Sequence, residues 1–116
     1  MQTTNFLQLS KPRQALVRLC QSTNYGHVQD LVGREREPIF ADPGPVVLVD
    51  IRLDSEERPR EELAAGDFAL CGEVSRLMSL LDQVENGRIS KIEVRGGIPR
   101  RITFETRIEE VGLSER

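Results

Sequence analysis

The hydrophobic pattern of the second half of the chain predicts a helix followed by a hairpin. From Phe68 to Glu85 apolar residues recur every three or four positions, and Asp67 precedes them as a candidate N-cap. This spacing is typical of a helix with one broad buried face. The polar-glycine pair Asn86-Gly87 ends the pattern, and two strands joined at Gly96-Gly97 follow it. The apolar face is formed by Leu70, Val74, Leu77, Leu81 and Val84, widened by Cys71 and Met78.

Alternation within this hairpin predicts its register. Ile92 and Val94 share one face of the first strand, and Ile102 and Phe104 share one face of the second. A two-residue loop would place Ile92 opposite Arg101 and put Ile102 on the wrong face. A three-residue loop pairs Ile92 with Ile102 and keeps the apolar faces together. We therefore expect an odd-length loop with a bulge.

The first half repeats the same pattern. A helix capped by Ser10 carries a buried face, Gly26 is suited to end it, and a return strand begins at Pro38. A shift of 61 positions places Gly26 on Gly87 and Pro38 on Pro99 without a gap. We interpret this as an internal repeat, with units at about 10–41 and 67–109. The face of the first helix is formed by Leu16, Leu19, Cys20 and Thr23.

Two segments join the repeat units. Residues 46–53 form the clearest strand, and we expect its odd-numbered face, from Val47 to Leu53, to be buried. Residues 54–66 are acidic, with a possible short helix from Pro59 to Ala65. We interpret them as a solvated connector, with an acidic docking site for a basic partner as the alternative. The connector's charges are Asp54, Glu56, Glu57, Glu61 and Glu62 against Arg58 and Arg60.

These elements predict a fold class. We expect a single α+β domain over 1–116, with two helices packed on one face of a largely antiparallel sheet of about five strands. A small sheet with apolar edges often completes its burial by oligomerising. The expected partner is therefore a second copy in a homodimer, or another protein.

A family resemblance follows from the start of the first strand in each unit. Tyr25-Gly26-His27-Val28 in the first unit and Asn86-Gly87-Arg88-Ile89 in the second resemble the small bacterial YezD-like proteins. The resemblance covers about 25 residues per unit, and the segment from about Asp42 to Gly66 departs from it. It implies a small bacterial protein without an established activity, and it carries over no catalytic or binding residues.

Composition narrows the class of protein. The chain of 116 residues is 38% hydrophobic and 30% charged and has no Trp, so we expect a folded domain with an aliphatic core. Its net charge of -3 argues against a nucleic-acid-binding protein that relies on bulk charge. The residues from Met1 to Phe6 have neither the basic start nor the apolar run of a signal peptide. We expect a cytoplasmic location and no membrane association.

Few residues suggest chemistry. His27 is the only histidine, without nearby acidic partners at metal-binding spacing, and we interpret it as a surface residue. Cys20 and Cys71 lie on apolar helix faces, which indicates core packing, with a redox pair, a zinc site or an unlinked reactive thiol as alternatives. We expect no catalytic, cofactor-binding or metal-binding residues, and no enzyme.

The closing hairpin is the one strongly basic stretch. Its five cations face a single acid, Glu93. We interpret this as a solvated face, with a docking surface for an acidic partner or nucleic acid as the alternative. The function expected is a non-enzymatic protein-interaction or accessory module, and the alternative is a nucleic-acid-binding regulator that uses the basic hairpin 88–101. The candidate docking residues are Arg88, Lys91, Arg95, Arg100 and Arg101.

Overall fold

Two helices pack on one face of a five-stranded antiparallel sheet, which confirms the expected α+β class. The structure is a computed structural model and describes residues 4–41, 43–54 and 65–105. The strand order is β2-β1-β4-β5, and β3 pairs with the same edge of β1 as β2 does. The elements are a 3-10 helix Phe6–Gln8, α1 Lys11–Thr23, β1 Tyr25–Arg34, β2 Glu37–Ile39, β3 Val46–Val49, α2 Gly72–Val84, β4 Gly87–Arg95 and β5 Ile98–Glu105.

The core lies between the helices and the two central strands. Both helices bury the faces that their spacing predicts, and β1 and β4 contribute alternate residues. The core is largely aliphatic, as the composition indicated. Its most buried members are Leu16, Cys20, Val28, Leu31, Ile92 and Val94.

The two helix–strand–strand units share unusual backbone geometry at positions 61 apart. Helix α1 ends at Asn24, which has φ 64° and donates its N–H to Cys20 O at 3.1 Å. Helix α2 ends at Glu85, which also has φ 64° and donates to Leu81 O at 3.2 Å. Positive φ values are uncommon outside glycine. Their recurrence at matched positions gives the units a common helix-to-strand corner.

These corners are joined by matched hydrogen bonds across the sheet. Gly97 N donates to Asn24 O at 2.9 Å, and Arg36 N donates to Glu85 O at 2.7 Å. Each bond maps onto the other when the chain is shifted by 61 positions. The central pair β1–β4 therefore lies on a local pseudo-two-fold axis, and each unit's hairpin loop closes against the other unit's helix end.

The helix boundaries correct two expectations. Gly26 does not end α1, because Asn24 already does, and Gly26 lies inside β1. Helix α2 begins at Gly72 with Cys71 at the N-cap, not at Phe68 after Asp67. The Asp67 carboxylate instead accepts a bond from Leu7 N at 3.0 Å, and Phe6 N donates to Phe68 O at 2.8 Å. Residues 65–70 are thus drawn into pairing with the N-terminal segment, which prevents an earlier helix start.

The loop of the closing hairpin is also different from the expectation. Arg95 pairs with Ile98, so the loop is the two-residue Gly96-Gly97 and not an odd-length loop. The expected pairing of Ile92 with Ile102 is nevertheless present. A register shift between Glu93 and Val94, where β5 accommodates the extra residue Arg100, restores it. The glycines adopt the positive φ values that a tight turn requires.

The segment after β2 departs most from the expectation. Strand β3 ends at Val49, whereas the sequence predicted a strand that continues to Leu53. Of the residues of β3, only Val47 packs against the core. The predicted helix from Pro59 to Ala65 lies mostly in 55–64, outside the described residues. Residues 106–116 lie outside them as well.

Candidate functional site

The open face of the sheet collects four of the five predicted docking cations. Arg88, Lys91 and Arg95 are exposed on β4, in alternation with buried Ile89, Ile92 and Val94. Arg101 on β5 pairs with Glu93 and so shares their face. The helices cover the opposite face, and no element within residues 4–41, 43–54 and 65–105 packs on this one. The structure therefore brings four separated cations of the sequence onto one surface.

Arg100, the fifth, does not join them. It is the extra residue at the β5 bulge, and the bulge turns it toward the helix side. There its Nη1 donates to Glu73 Oε2 at 2.8 Å. The pKa of Glu73 is lowered, first by the hydrogen bond from its own backbone N–H and then by Arg100 and Arg76. Arg100 thus links β5 to the first turn of α2.

Acidic residues neutralise much of the positive charge on the open face. Glu93 lies directly between His27 and Arg101 in the strand register, and Glu105 lies opposite Arg88. Arg88 is also 4.0 Å from Asp30, which has φ 60° and is skipped in the pairing of β1 with β4 while the register stays the same on both sides. Three acids among four cations leave only a small positive excess, which weakens the attraction for phosphates.

His27 and the cysteines occupy ordinary structural positions. His27 is half-buried on the open face between Leu48 and Glu93. Cys20 is fully buried, and burial raises the pKa of its thiol to about 12. Cys71 is free and half-buried at the start of α2. Within residues 4–41, 43–54 and 65–105 no group of three His, Cys, Asp or Glu side chains is placed to hold a metal ion.

The structure contains a cleft of about 680 Å³ between α1 and α2 that the sequence did not predict. Arg13 forms one wall and donates to Asp82 at 2.5 Å and to the carbonyl of Arg36 at 2.8 Å. Its Nε lies 3.5 Å from Glu37, which accepts a bond from Ser10 Oγ at 2.7 Å. These residues are far apart in sequence, so no spacing could reveal the cluster. The hydrogen bonds of Arg13 come from its Nη2, whereas its buried Nε forms only the longer ion pair with Glu37. Through these contacts the cluster acts as a brace between α1, β2 and α2.

Of the seven exposed large hydrophobic residues in the described part of the chain, five lie in β3 or directly after it. Val49, Ile51 and Leu53 are 51%, 72% and 95% exposed, and Val46 and Leu48 are close to half exposed. The expectation that the odd-numbered side chains lie in the core holds for Val47, which packs against it, and is wrong for Val49, Ile51 and Leu53. Beyond Asp50, whose N–H donates to Tyr25 O at 2.7 Å, the segment passes the end of β1. No described residue covers these side chains, because the sheet stops there.

Comparisons with known proteins leave the family undetermined. Neither family models, nor curated proteins, nor solved structures gave a match to this chain. The resemblance to YezD-like proteins therefore stays a prediction. Among the helices that the structure describes, none is long and apolar enough to cross a membrane.

Proposed function

We propose that this protein is a non-enzymatic interaction module whose binding surface is the β3 edge segment, Val46 to Leu53. The observation that carries the proposal is the exposure of five large aliphatic side chains within eight residues. Exposed apolar side chains concentrated in one short segment commonly mark a protein-binding site. A strand at the edge of a sheet also offers unpaired backbone groups to an incoming strand.

The energetics favour a covered segment. Full burial of a Val, Leu or Ile side chain is worth about 1.5–3 kcal/mol. Ile51 and Leu53 are mostly exposed and Val49 is half exposed. A partner that covers all three therefore gains part of this burial free energy at each side chain. Association entropy offsets much of this gain. The result is a surface suited to reversible binding.

The brace around Arg13 supports a non-enzymatic role. Its guanidinium is occupied by Asp82, by Glu37 and by a backbone carbonyl, and these contacts hold three elements together. The cleft's charged groups thus have a structural use.

Site-specific photo-crosslinking in the native cell tests this proposal. A benzophenone amino acid in place of Leu53 should give covalent protein adducts, because its neighbours in the complex lie within reach. The same amino acid in place of Gln83, exposed on α2, is the matched control and should give few. Adding Ile51→Lys should reduce the Leu53 adducts. Equal yields from both positions would contradict the proposal.

Nucleic-acid binding through the open face is the second candidate. The observation that favours it is the common face of Arg88, Lys91, Arg95 and Arg101. Binding to generic duplex DNA or single-stranded RNA should then weaken steeply with salt. The double change Arg95→Glu and Arg101→Glu should abolish it, whereas Lys11→Glu on α1 should not. Affinity that is insensitive to salt and to the double change would exclude this candidate.

A further inference from the structure

We propose that the partner of the β3 edge segment is a second copy of this chain, paired antiparallel through residues 49–53 with Ile51 on the two-fold axis. This inference rests on the proposed interaction function and names its partner. In this arrangement the short strand β3 is extended by the segment that now runs past the sheet. The charge, exposure and alternation of residues 49–53 favour this partner.

The sequence of the segment is complementary to itself. In an antiparallel pair centred on Ile51, Asp50 lies opposite the second copy's Arg52, and the symmetry repeats the contact. Val49 lies opposite the second copy's Leu53, again twice. Directly opposed residues in antiparallel strands are in close contact, so opposite charges meet and aliphatic side chains meet.

Neighbouring registers lose this complementarity. A pair centred on Asp50 puts the two Asp50 carboxylates opposite each other. A pair centred on Arg52 opposes the two guanidinium groups and places Asp50 against Asp54. A pair centred between Ile51 and Arg52 places Ile51 opposite Arg52 and Asp50 opposite Leu53. Like charges directly opposed are destabilising, so the segment specifies one register.

The structure leaves the required groups accessible. Ile51 and Leu53 are 72% and 95% exposed, and Asp50 and Arg52 are exposed between them. Arg52 bonds to Asp54 two residues away, at 3.2 and 3.3 Å, with both side chains largely in solvent. An exposed local pair of this type is weak. Arg52 can therefore exchange Asp54 for the second copy's Asp50 at little cost.

The size of the contact sets its strength. Stable protein interfaces bury about 1,200–2,000 Å² in total, and smaller ones form transient complexes. Interfaces in this range use about 20–30 residues from each partner, so five paired residues form a smaller contact. We therefore expect a dimer that dissociates on dilution.

Sedimentation of the full chain with charge-exchanged variants tests the register. Wild-type protein should shift from monomer to dimer mass as its concentration rises. Asp50→Arg alone opposes two arginines, and Arg52→Asp alone opposes two aspartates, so each should raise the dissociation constant by roughly tenfold or more. The double variant restores both opposite-charge pairs and should recover dimerisation. Both substituted side chains are exposed, so the fold remains the same in all three variants.

Mixing the two single variants gives a sharper result. The Asp50→Arg chain and the Arg52→Asp chain complement each other in this register, and they should form a one-to-one heterodimer when neither dimerises alone. Unchanged dimerisation in all variants would overturn the register. A wild-type chain that stays monomeric at every concentration would overturn self-association.

These failures differ from failure of the proposed function. If the segment binds another protein, Leu53 still crosslinks in cells while the purified chain remains monomeric. If it binds nothing, both measurements are negative.

Discussion

The most informative perturbation is Gly26→Ala, because Gly26 is the point of closest approach between β1 and β3. A methyl group there would lie 1.9 Å from Leu48 O and 3.0 Å from Val49 Cα. Both are backbone atoms, so no side-chain rotation relieves the clash. The backbone at Gly26 also has φ 155°, which L residues with a side chain rarely adopt.

The magnitude follows from these contacts. Overpacking a well-packed contact costs about 1–3 kcal/mol, and holding a side-chain-bearing residue in a sparsely populated backbone conformation costs a further 1–3 kcal/mol or so. The protein can limit the cost by releasing β3, but it then loses the bond from Asp50 N to Tyr25 O and the packing of Val47. We expect a net loss of about 2–4 kcal/mol in the free energy of unfolding.

Urea unfolding followed by far-ultraviolet circular dichroism measures this loss, and amide hydrogen exchange locates it. Exchange should rise first in β3, from Val46 to Val49. Gly87→Ala is the matched control, 61 positions away: its methyl group meets Val84 Cγ1 at 2.9 Å and the Phe104 ring at 3.2 Å. Side chains can adjust, so the control should lose roughly 1 kcal/mol. Equal losses in the two variants, or a Gly26→Ala protein as stable as wild type, would refute the reasoning.

Three further predictions concern the brace, the thiols and the N-terminal anchor. Arg13→Ala should lower the unfolding free energy by about 1–2 kcal/mol, because it removes the hydrogen bonds to Asp82 and to the Arg36 carbonyl and the ion pair with Glu37. Arg36→Ala, which breaks an exposed pair with Glu85, should cost about 0.5 kcal/mol or less in the same denaturation assay. A disulfide-exchange reagent should modify Cys71 in the native protein and Cys20 only after unfolding, because burial raises the pKa of Cys20 to about 12; rapid reaction of both thiols would contradict the core position of Cys20. The pKa of Asp67 is lowered chiefly by the hydrogen bond from Leu7 N, so its contribution to stability is present at neutral pH and lost as pH falls through that lowered pKa. Asp67→Asn should therefore remove part of the acid sensitivity of unfolding, measured as midpoint against pH, and an unchanged pH profile would show that the anchor does not depend on the charge.

Local patterning was sufficient for much of the fold. The helical spacing from Leu70 to Leu81 identified the buried face of α2, and Ser10 caps α1 as its position predicted. Alternation around Ile92 and Ile102 gave the correct partner across the hairpin even though the loop length was wrong. Alternation determines which side chains share a face of the hairpin. A two-residue loop with a bulge at Arg100 places Ile92 and Ile102 on one face just as a three-residue loop would.

The candidate sites depended more on long-range contacts. The sequence identified the cations of the closing hairpin, but only the bulge decides that Arg100 leaves the face shared by Arg95 and Arg101. The brace around Arg13 joins residues from α1, β2 and α2 and has no local signature. Neither the position of Arg100 nor the contacts of Arg13 can be predicted from the residues next to them in the sequence.

The sequence by itself determined the buried faces of the two helices, the two strands of the closing hairpin and the aliphatic core, because these depend on periodicity and on residue type. It also predicted the repeat of the helix–strand–strand unit from residue types at matched positions. Only the tertiary structure decided that the segment from Val49 to Leu53 stays uncovered. Alternation states which side chains lie on one face of a strand, whereas burial requires another element to lie against that face. For β3 the sheet ends at Tyr25, and the aliphatic side chains beyond it remain available to a partner.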